Sequence, residues 1–215
     1  MNINDTGKRD FDKEAPTWED NPERLRMASA IASGILEQTS PDQTMDVLDY
    51  GCGTGLITMA LQPYVRSITA ADSSIGMLEV LAAKAGEAGI TNVTTRQLDL
   101  ETDDPLSACF HMIVCSMTLH HIEDIAGLIH KFTAMLHPGG YLCIADLDEE
   151  DGSFHADPTG VKHFGFNREY LAGFLESGGF QDIKFNTAYV VTKPVQGGRM
   201  GEFSVFLVTG KRARY

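Results

Sequence analysis

Glycine recurs at alternate positions in Val47-Leu-Asp-Tyr-Gly-Cys-Gly-Thr-Gly55, directly after an apolar run. Without a Cβ, such a turn lets backbone come close to a ligand. The helix expected to follow would aim its first free N–H groups at the same place. Gly51, Cys52 and Gly53 are therefore candidate binding positions, Cys52 through its backbone. A dinucleotide fingerprint needs glycine at the first, third and sixth positions. Here Leu56 stands at the sixth, and the third glycine is Gly55. Asp49, two residues before Gly51, would repel a pyrophosphate and attract a cation such as an α-ammonium group. The pattern favours a positively charged nucleoside that carries an amino acid over NAD. The plainer alternative is a tight strand–helix turn with no ligand.

Two further carboxylates, Asp72 and Asp99, end apolar runs of their own. Read singly, each is an ordinary solvated strand end. Histidine is the side chain best suited to remove a proton near neutrality, and His120, His121, His155 and His163 are the candidates. His121 follows a strand-like run, and His163 lies in an irregular stretch; these two are the expected catalytic residues, against a structural role for either. Asp148-Glu-Glu-Asp151 reads as a solvated acidic turn. No metal site is expected. The four cysteines lack the paired spacing of a zinc ribbon or a dithiol redox site.

These residues need elements to hold them. Asp20-Asn-Pro-Glu23 opens a helix with a capping side chain, proline and an early carboxylate. It runs to about Gln38, with Leu25, Ala28, Ile31, Ala32 and Ile35 on one face. Strands are expected at Met45–Tyr50, Ser67–Asp72, Val93–Leu98, Met112–Ser116 and Tyr141–Leu147. Helices follow at Leu56–Leu61, after Ser74, at Glu123–Leu136 and after Asn167. His137-Pro-Gly-Gly140 reads as a helix stop and turn. Ile183–Lys193 and Phe203–Lys211 have only a Gly-rich turn between them, so they pair antiparallel. The expected fold is α/β, with five parallel strands ending in an antiparallel hairpin.

The 215 residues make one domain's worth of sequence, 43% hydrophobic and 22% charged, enough for a core without staples. Seventeen Lys and Arg against thirty Asp and Glu leave a net charge of −13. That charge disfavours nucleic acid and anionic lipid as partners. The one basic cluster, Lys211, Arg212 and Arg214, reads as a solvated strand end. No stretch has the length and apolarity of a membrane span, and the polar N-terminus is not a signal peptide. A cytoplasmic location is expected, with the cysteines reduced.

The segment Asp-Tyr-Gly-Cys-Gly-Thr-Gly resembles motif I of the class I S-adenosylmethionine-dependent methyltransferases, of the small-molecule, ubiquinone-biosynthesis type. The resemblance covers roughly Met45 to Lys211. It implies a three-layer Rossmann-like sandwich around a mostly parallel seven-stranded sheet. It implies S-adenosylmethionine as cofactor, S-adenosylhomocysteine as product, and an O, N or C acceptor atom on a small molecule. Asp72 would hold both ribose hydroxyls, with Ser73 beside it; Asp99 and Leu100 would meet the adenine, and Met77 its edge. Ser116 and Met117 would lie by the methionine moiety, and Leu136-His-Pro-Gly-Gly would turn into the fifth strand. Residues 1–40 are expected to form a lid segment and helix, with Phe11 and Trp18 closing over the cofactor, and 41–215 the methyltransferase domain. Rival readings are a Rossmann NAD(P) oxidoreductase, a protein side-chain methyltransferase, and a catalytically silent module that keeps the cofactor as a structural ligand.

Overall fold

The structure is a computed structural model and describes residues 9–195 and 198–214. Residues 1–8 of the expected lid, and Gln196 and Gly197 of the expected Gly-rich turn, lie outside the described residues.

Seven strands form one sheet: β1 (Asp46–Tyr50), β2 (Ser67–Asp72), β3 (Val93–Gln97), β4 (Phe110–Ser116), β5 (Leu136–Leu147), β6 (Phe180–Pro194) and β7 (Met200–Arg212), in the order β3-β2-β1-β4-β5-β7-β6. The first five run parallel. β7 enters between β5 and β6 and is antiparallel to both. The helices are α1 (Phe11–Glu14), α2 (Pro22–Thr39), α3 (Leu56–Leu61), α4 (Ile75–Glu87), α5 (Ile125–Met135) and α6 (Arg168–Ser177).

Buried strands explain the apolar runs. Val47 and Leu48 alternate across β1: Val47 packs with α2 and α3, Leu48 with α5. Helices α2, α3 and α4 cover one face, and α5 with α6 covers the other. The caps expected from sequence are in place. Asn21 accepts from Glu23 N–H, Ser74 from Met77 N–H, and Asn167 from Tyr170 N–H.

Chain direction across the sheet reverses between β1 and β4. In an open α/β sheet, that switch point at the strands' carboxyl ends is where ligands sit. The turns after β1, β2, β3 and β4 all open there.

Two expectations need correction. His137–Gly140 is not a turn before β5; it is the start of β5, which begins at Leu136 as soon as α5 ends at Met135. Phe110 pairs with Leu136 and Met112 with Tyr141, so the extra residues are absorbed as a bulge. Gly140 is packed so closely that a Cβ there would lie 2.9 Å from His137 O. The acidic turn is also not wholly solvated. Asp148 accepts a two-pronged ion pair from Arg168 at 2.6 and 2.7 Å, and Glu150 accepts from Phe154 N–H at 3.0 Å. Glu149 and Asp151 are exposed as expected. Of the C-terminal basic cluster, Arg212 is tied down by donating to Leu136 O.

Candidate active site

Gly51, Gly53 and Gly55 have φ of +71°, +54° and +84°, the left-handed region that glycine enters without penalty. Their surroundings differ. A Cβ on Gly51 would lie 2.2 Å from Thr118 Oγ1, and one on Gly55 would lie 2.3 Å from Leu81 Cδ1. At Gly53 the nearest such atom is Met77 Sδ, at 4.0 Å. The turn is therefore clamped at both ends and open in the middle.

Asp72, ending β2, faces that opening. Its Oδ2 accepts from Gly53 N–H at 2.8 Å and its Oδ1 from Ser74 N–H at 2.9 Å. A carboxylate has about four acceptor positions, so these bonds leave capacity for a ligand hydroxyl. Burial pushes the Asp72 carboxyl above its ordinary range, against the pull of these N–H groups. Ser73 beside it is exposed. Met77 is buried at the first turn of α4.

Asp49 lies beneath the turn rather than in it. It is 1% exposed, and its Oδ2 accepts from Thr58 Oγ1 at 2.5 Å. Burial lifts its carboxyl to about 6, with the nearby Asp72 adding to the rise. Among the described residues no Lys, Arg or His forms an ion pair with it. Cys52 is buried against Ala70, Leu78 and Leu81, and burial holds its thiol well above the ordinary range. Its sulfur is held in the unreactive thiol form.

After β3, Asp99 accepts from Glu101 N–H at 3.0 Å, and Leu100 N–H donates to the Tyr50 hydroxyl at 3.1 Å. Leu100 is buried in the core with α5. After β4, Ser116 O accepts from Thr118 Oγ1, and Met117 has φ +51°, an uncommon conformation for a side-chain-bearing residue. Thr118 Oγ1 also donates to Gly51 O at 3.3 Å, which joins this turn to the glycine turn.

The turn after β4 is stitched to the loop after β5. His121 Nδ1 donates to Gly160 O at 2.8 Å, and His163 Nε2 to Ile122 O at 2.9 Å. Lys162 N–H and His163 N–H both donate to His120 O. His121 and His163 thus spend one nitrogen each on these clamps and keep one lone pair. Burial, then the neighbouring His120, lowers His121 to about 4.

Sequence reasoning did not single out Asp146. It is completely buried in β5, and its Oδ1 accepts from His120 Nδ1 at 2.8 Å. The available signal was a single acid inside the apolar run Tyr141–Leu147. Asp12 and Glu19 were missed too, because their partners are distant in sequence. Asp12 Oδ1 accepts from Ser74 Oγ at 2.6 Å and Gly76 N–H at 2.8 Å. Glu19 accepts from Thr54 Oγ1 at 2.5 Å and pairs with Lys84. The segment 9–20 therefore lies against α4 and the glycine turn. Phe11 is the aromatic that reaches the histidine turn, 5.4 Å from the His121 ring. Trp18 stacks under the Arg24 guanidinium at 3.7 Å, beside Phe11. Among the described residues, no group of three or more His, Cys, Asp or Glu is placed to hold a metal ion.

Residues 47–140 match a family model described as a methyltransferase domain. An uncharacterized methyltransferase of Schizosaccharomyces pombe is 36% identical over 135 residues, 56% of this chain and 48% of that protein. A ubiquinone biosynthesis O-methyltransferase of Paracidovorax citrulli is 27% identical over 164 residues, 76% of this chain and 63% of that protein. The chain thus spans about half to three-fifths of the length of these curated relatives. In structure, phosphoethanolamine N-methyltransferase 2 of Haemonchus contortus, solved with S-adenosyl-L-methionine, superposes with a TM-score of 0.70 at 15% identity. It covers 96% of this chain and 61% of that one. That likeness speaks to the fold alone. The sequence match begins in β1 and ends in β5, spanning the turns after β1, β2, β3 and β4, and over those residues the chain is similar to a methyltransferase domain.

Proposed function

We propose that the chain binds S-adenosylmethionine across the turns after β1, β2 and β3 and transfers its methyl group to a small-molecule acceptor. The observation that carries this is the open cradle at Gly53, bordered by an Asp72 carboxylate that is anchored by backbone N–H groups and keeps acceptor capacity. When bound, the cofactor supplies a methyl group activated by a sulfonium sulfur. Asp72 would take the ribose hydroxyls, in charge-assisted hydrogen bonds worth about 1.5–3 kcal/mol each. Asp99 and Leu100 would border the adenine with Met77 at its edge. Asp49 would answer the ammonium charge, and Ser116 and Met117 would flank the methionine chain. His121 and His163 would line the acceptor side. Residues 1–40 would act as lid and leading helix to a domain at 41–215, with segment 9–20 excluding water from the site.

The small-molecule reading rests on charge: at −13, the chain has no field to attract nucleic acid. Among the described residues no helix is long and apolar enough to cross a membrane. A reducing, cytosolic setting is supported by Cys109, exposed and unpaired.

The test has two steps. S-adenosylmethionine and S-adenosylhomocysteine should each raise the melting temperature, and Asp72→Ala should weaken their binding at least tenfold by calorimetry. A response to NADH alone would defeat the proposal. Tritiated-methyl incorporation across small-molecule, protein and RNA pools then identifies the acceptor class.

A further inference from the structure

The turn after β4 carries a buried carboxylate–imidazole arrangement, separate from the residues that would hold the cofactor. Asp146 receives three donors: His120 Nδ1 at 2.8 Å, His120 N–H at 3.1 Å and Leu147 N–H at 2.8 Å. A carboxylate can only accept from the imidazole, so Nδ1 carries the proton and the His120 Nε2 lone pair is left available. Among the described residues, no hydrogen bond is formed to that Nε2. The turn is held rigidly from three sides. Met117 N–H donates to Ala145 O at 2.8 Å, Thr118 fastens it to Gly51, and Lys162 N–H donates to His120 O at 2.8 Å.

A second observation concerns the neighbouring His155. The His155 ring centroid is 5.0 Å from that of His120, and His155 Nε2 is buried with no hydrogen-bond partner. An orphaned buried polar atom is costly to the fold, and a ligand that hydrogen-bonds it removes that cost. The titratable and charged groups around His120 are Asp146 from β5, His121 from its own turn and His155 from the loop, with Lys193 of β6 and Arg9 farther off. His121 and His155 both sit near 4, chiefly through burial, so they stay neutral at working pH. Of these three histidines, His120 is the one hydrogen-bonded to a carboxylate.

We propose that His120 Nε2 is the proton-accepting group for an acceptor with a protic oxygen or nitrogen, that Asp146 is its positioning residue, and that His155 Nε2 hydrogen-bonds the same acceptor. This rests on the methyltransferase reading above and narrows its acceptor to a hydroxyl or an amine. The balance is simple. The acceptor's proton goes to Nε2, its freed electron pair forms the bond to the methyl carbon, and the carbon–sulfur pair stays on sulfur. The imidazolium so formed lies against the Asp146 carboxylate.

The first test needs no cofactor. In protein labelled with ¹⁵N-histidine at pH 7.5, long-range ¹H–¹⁵N spectra should show His120 protonated at Nδ1 and bare at Nε2. An Nε2–H tautomer overturns the proposal whatever the chain's activity. The second test uses tritiated-methyl incorporation into a deproteinised cell extract. His120→Gln should lower incorporation by about 10²–10⁴-fold, as loss of a general base does, with S-adenosylmethionine affinity unchanged by calorimetry. Added imidazole should restore turnover to His120→Ala, which a merely structural role would not allow. Asp146→Asn should cost less than His120→Gln, and the double variant no more than His120→Gln alone. Incorporation within threefold of wild type in folded His120→Gln, or label found on carbon, would overturn the assignment. Failure of the wild type to bind S-adenosylmethionine would defeat the methyltransferase reading, a result that the tautomer measurement keeps apart from this one.

Discussion

Asp49 illustrates how one residue can be a liability to the fold and an asset to the site. It is 1% exposed, and its folded carboxyl sits near 6 instead of the ordinary 3.8. Between those values the folded chain holds a proton that the unfolded chain has lost. Stability from this group is therefore greatest below about pH 4 and declines as pH rises through 6, costing about 3 kcal/mol at neutrality. A ligand ammonium would favour the ionised form and offset that cost. Asp49→Asn should raise the urea midpoint at pH 7.5, with little gain at pH 4. S-adenosylmethionine affinity of the wild type should climb between pH 5 and 7.5 in calorimetric titrations, and that of the variant should be weaker and flat. A flat wild-type profile would remove Asp49 from the ammonium's surroundings.

At the scale of elements, the glycine turn separates folding from binding within three residues. Gly51→Ala forces a side chain into φ +71° and onto Thr118, and the strain and clash should destabilise the fold by about 2 kcal/mol or more. Gly53→Ala carries backbone strain of about 1 kcal/mol but meets open space, so its melting temperature should fall by only about 2–4 °C. The space it fills is the proposed cofactor cradle, so its affinity for S-adenosylmethionine should drop tenfold or more. Paired thermal melts and calorimetry on the two variants read the contrast. Equal binding by Gly53→Ala and wild type would move the cofactor away from the turn.

Across the whole molecule, the N-terminal segment docks through two carboxylates on two different elements: Asp12 on the start of α4, and Glu19 on the glycine turn with Lys84. If this segment closes over bound cofactor, trypsin should cut at Lys13 more slowly once S-adenosylmethionine is added. Replacing both Asp12 and Glu19 by Ala should speed the cut and abolish the protection, as followed by mass spectrometry. Cleavage indifferent to the cofactor would reduce the segment to a fixed strap.

The sequence by itself determined the strands, their alternation with helices, the terminal hairpin and the glycine turn. Each is written in short-range pattern: apolar runs of strand length, helical spacing in Leu25 to Ile35, a cap at Asn21 or Ser74, glycine where φ must be positive. Asp72 and Asp99 were legible for the same reason, each standing at the end of its run. Only the tertiary structure decided what depends on residues far apart in the chain. It drew His137–Gly140 into β5, because Phe110 of a neighbouring strand pairs with Leu136. It inserted β7 between β5 and β6. It turned Asp146 from an odd acid in an apolar strand into the partner of a histidine 26 positions away, and Asp12 into a cap for a helix 62 positions on. Local pattern encodes propensity and burial, while a hydrogen bond across such distances exists only once the sheet has brought its ends together.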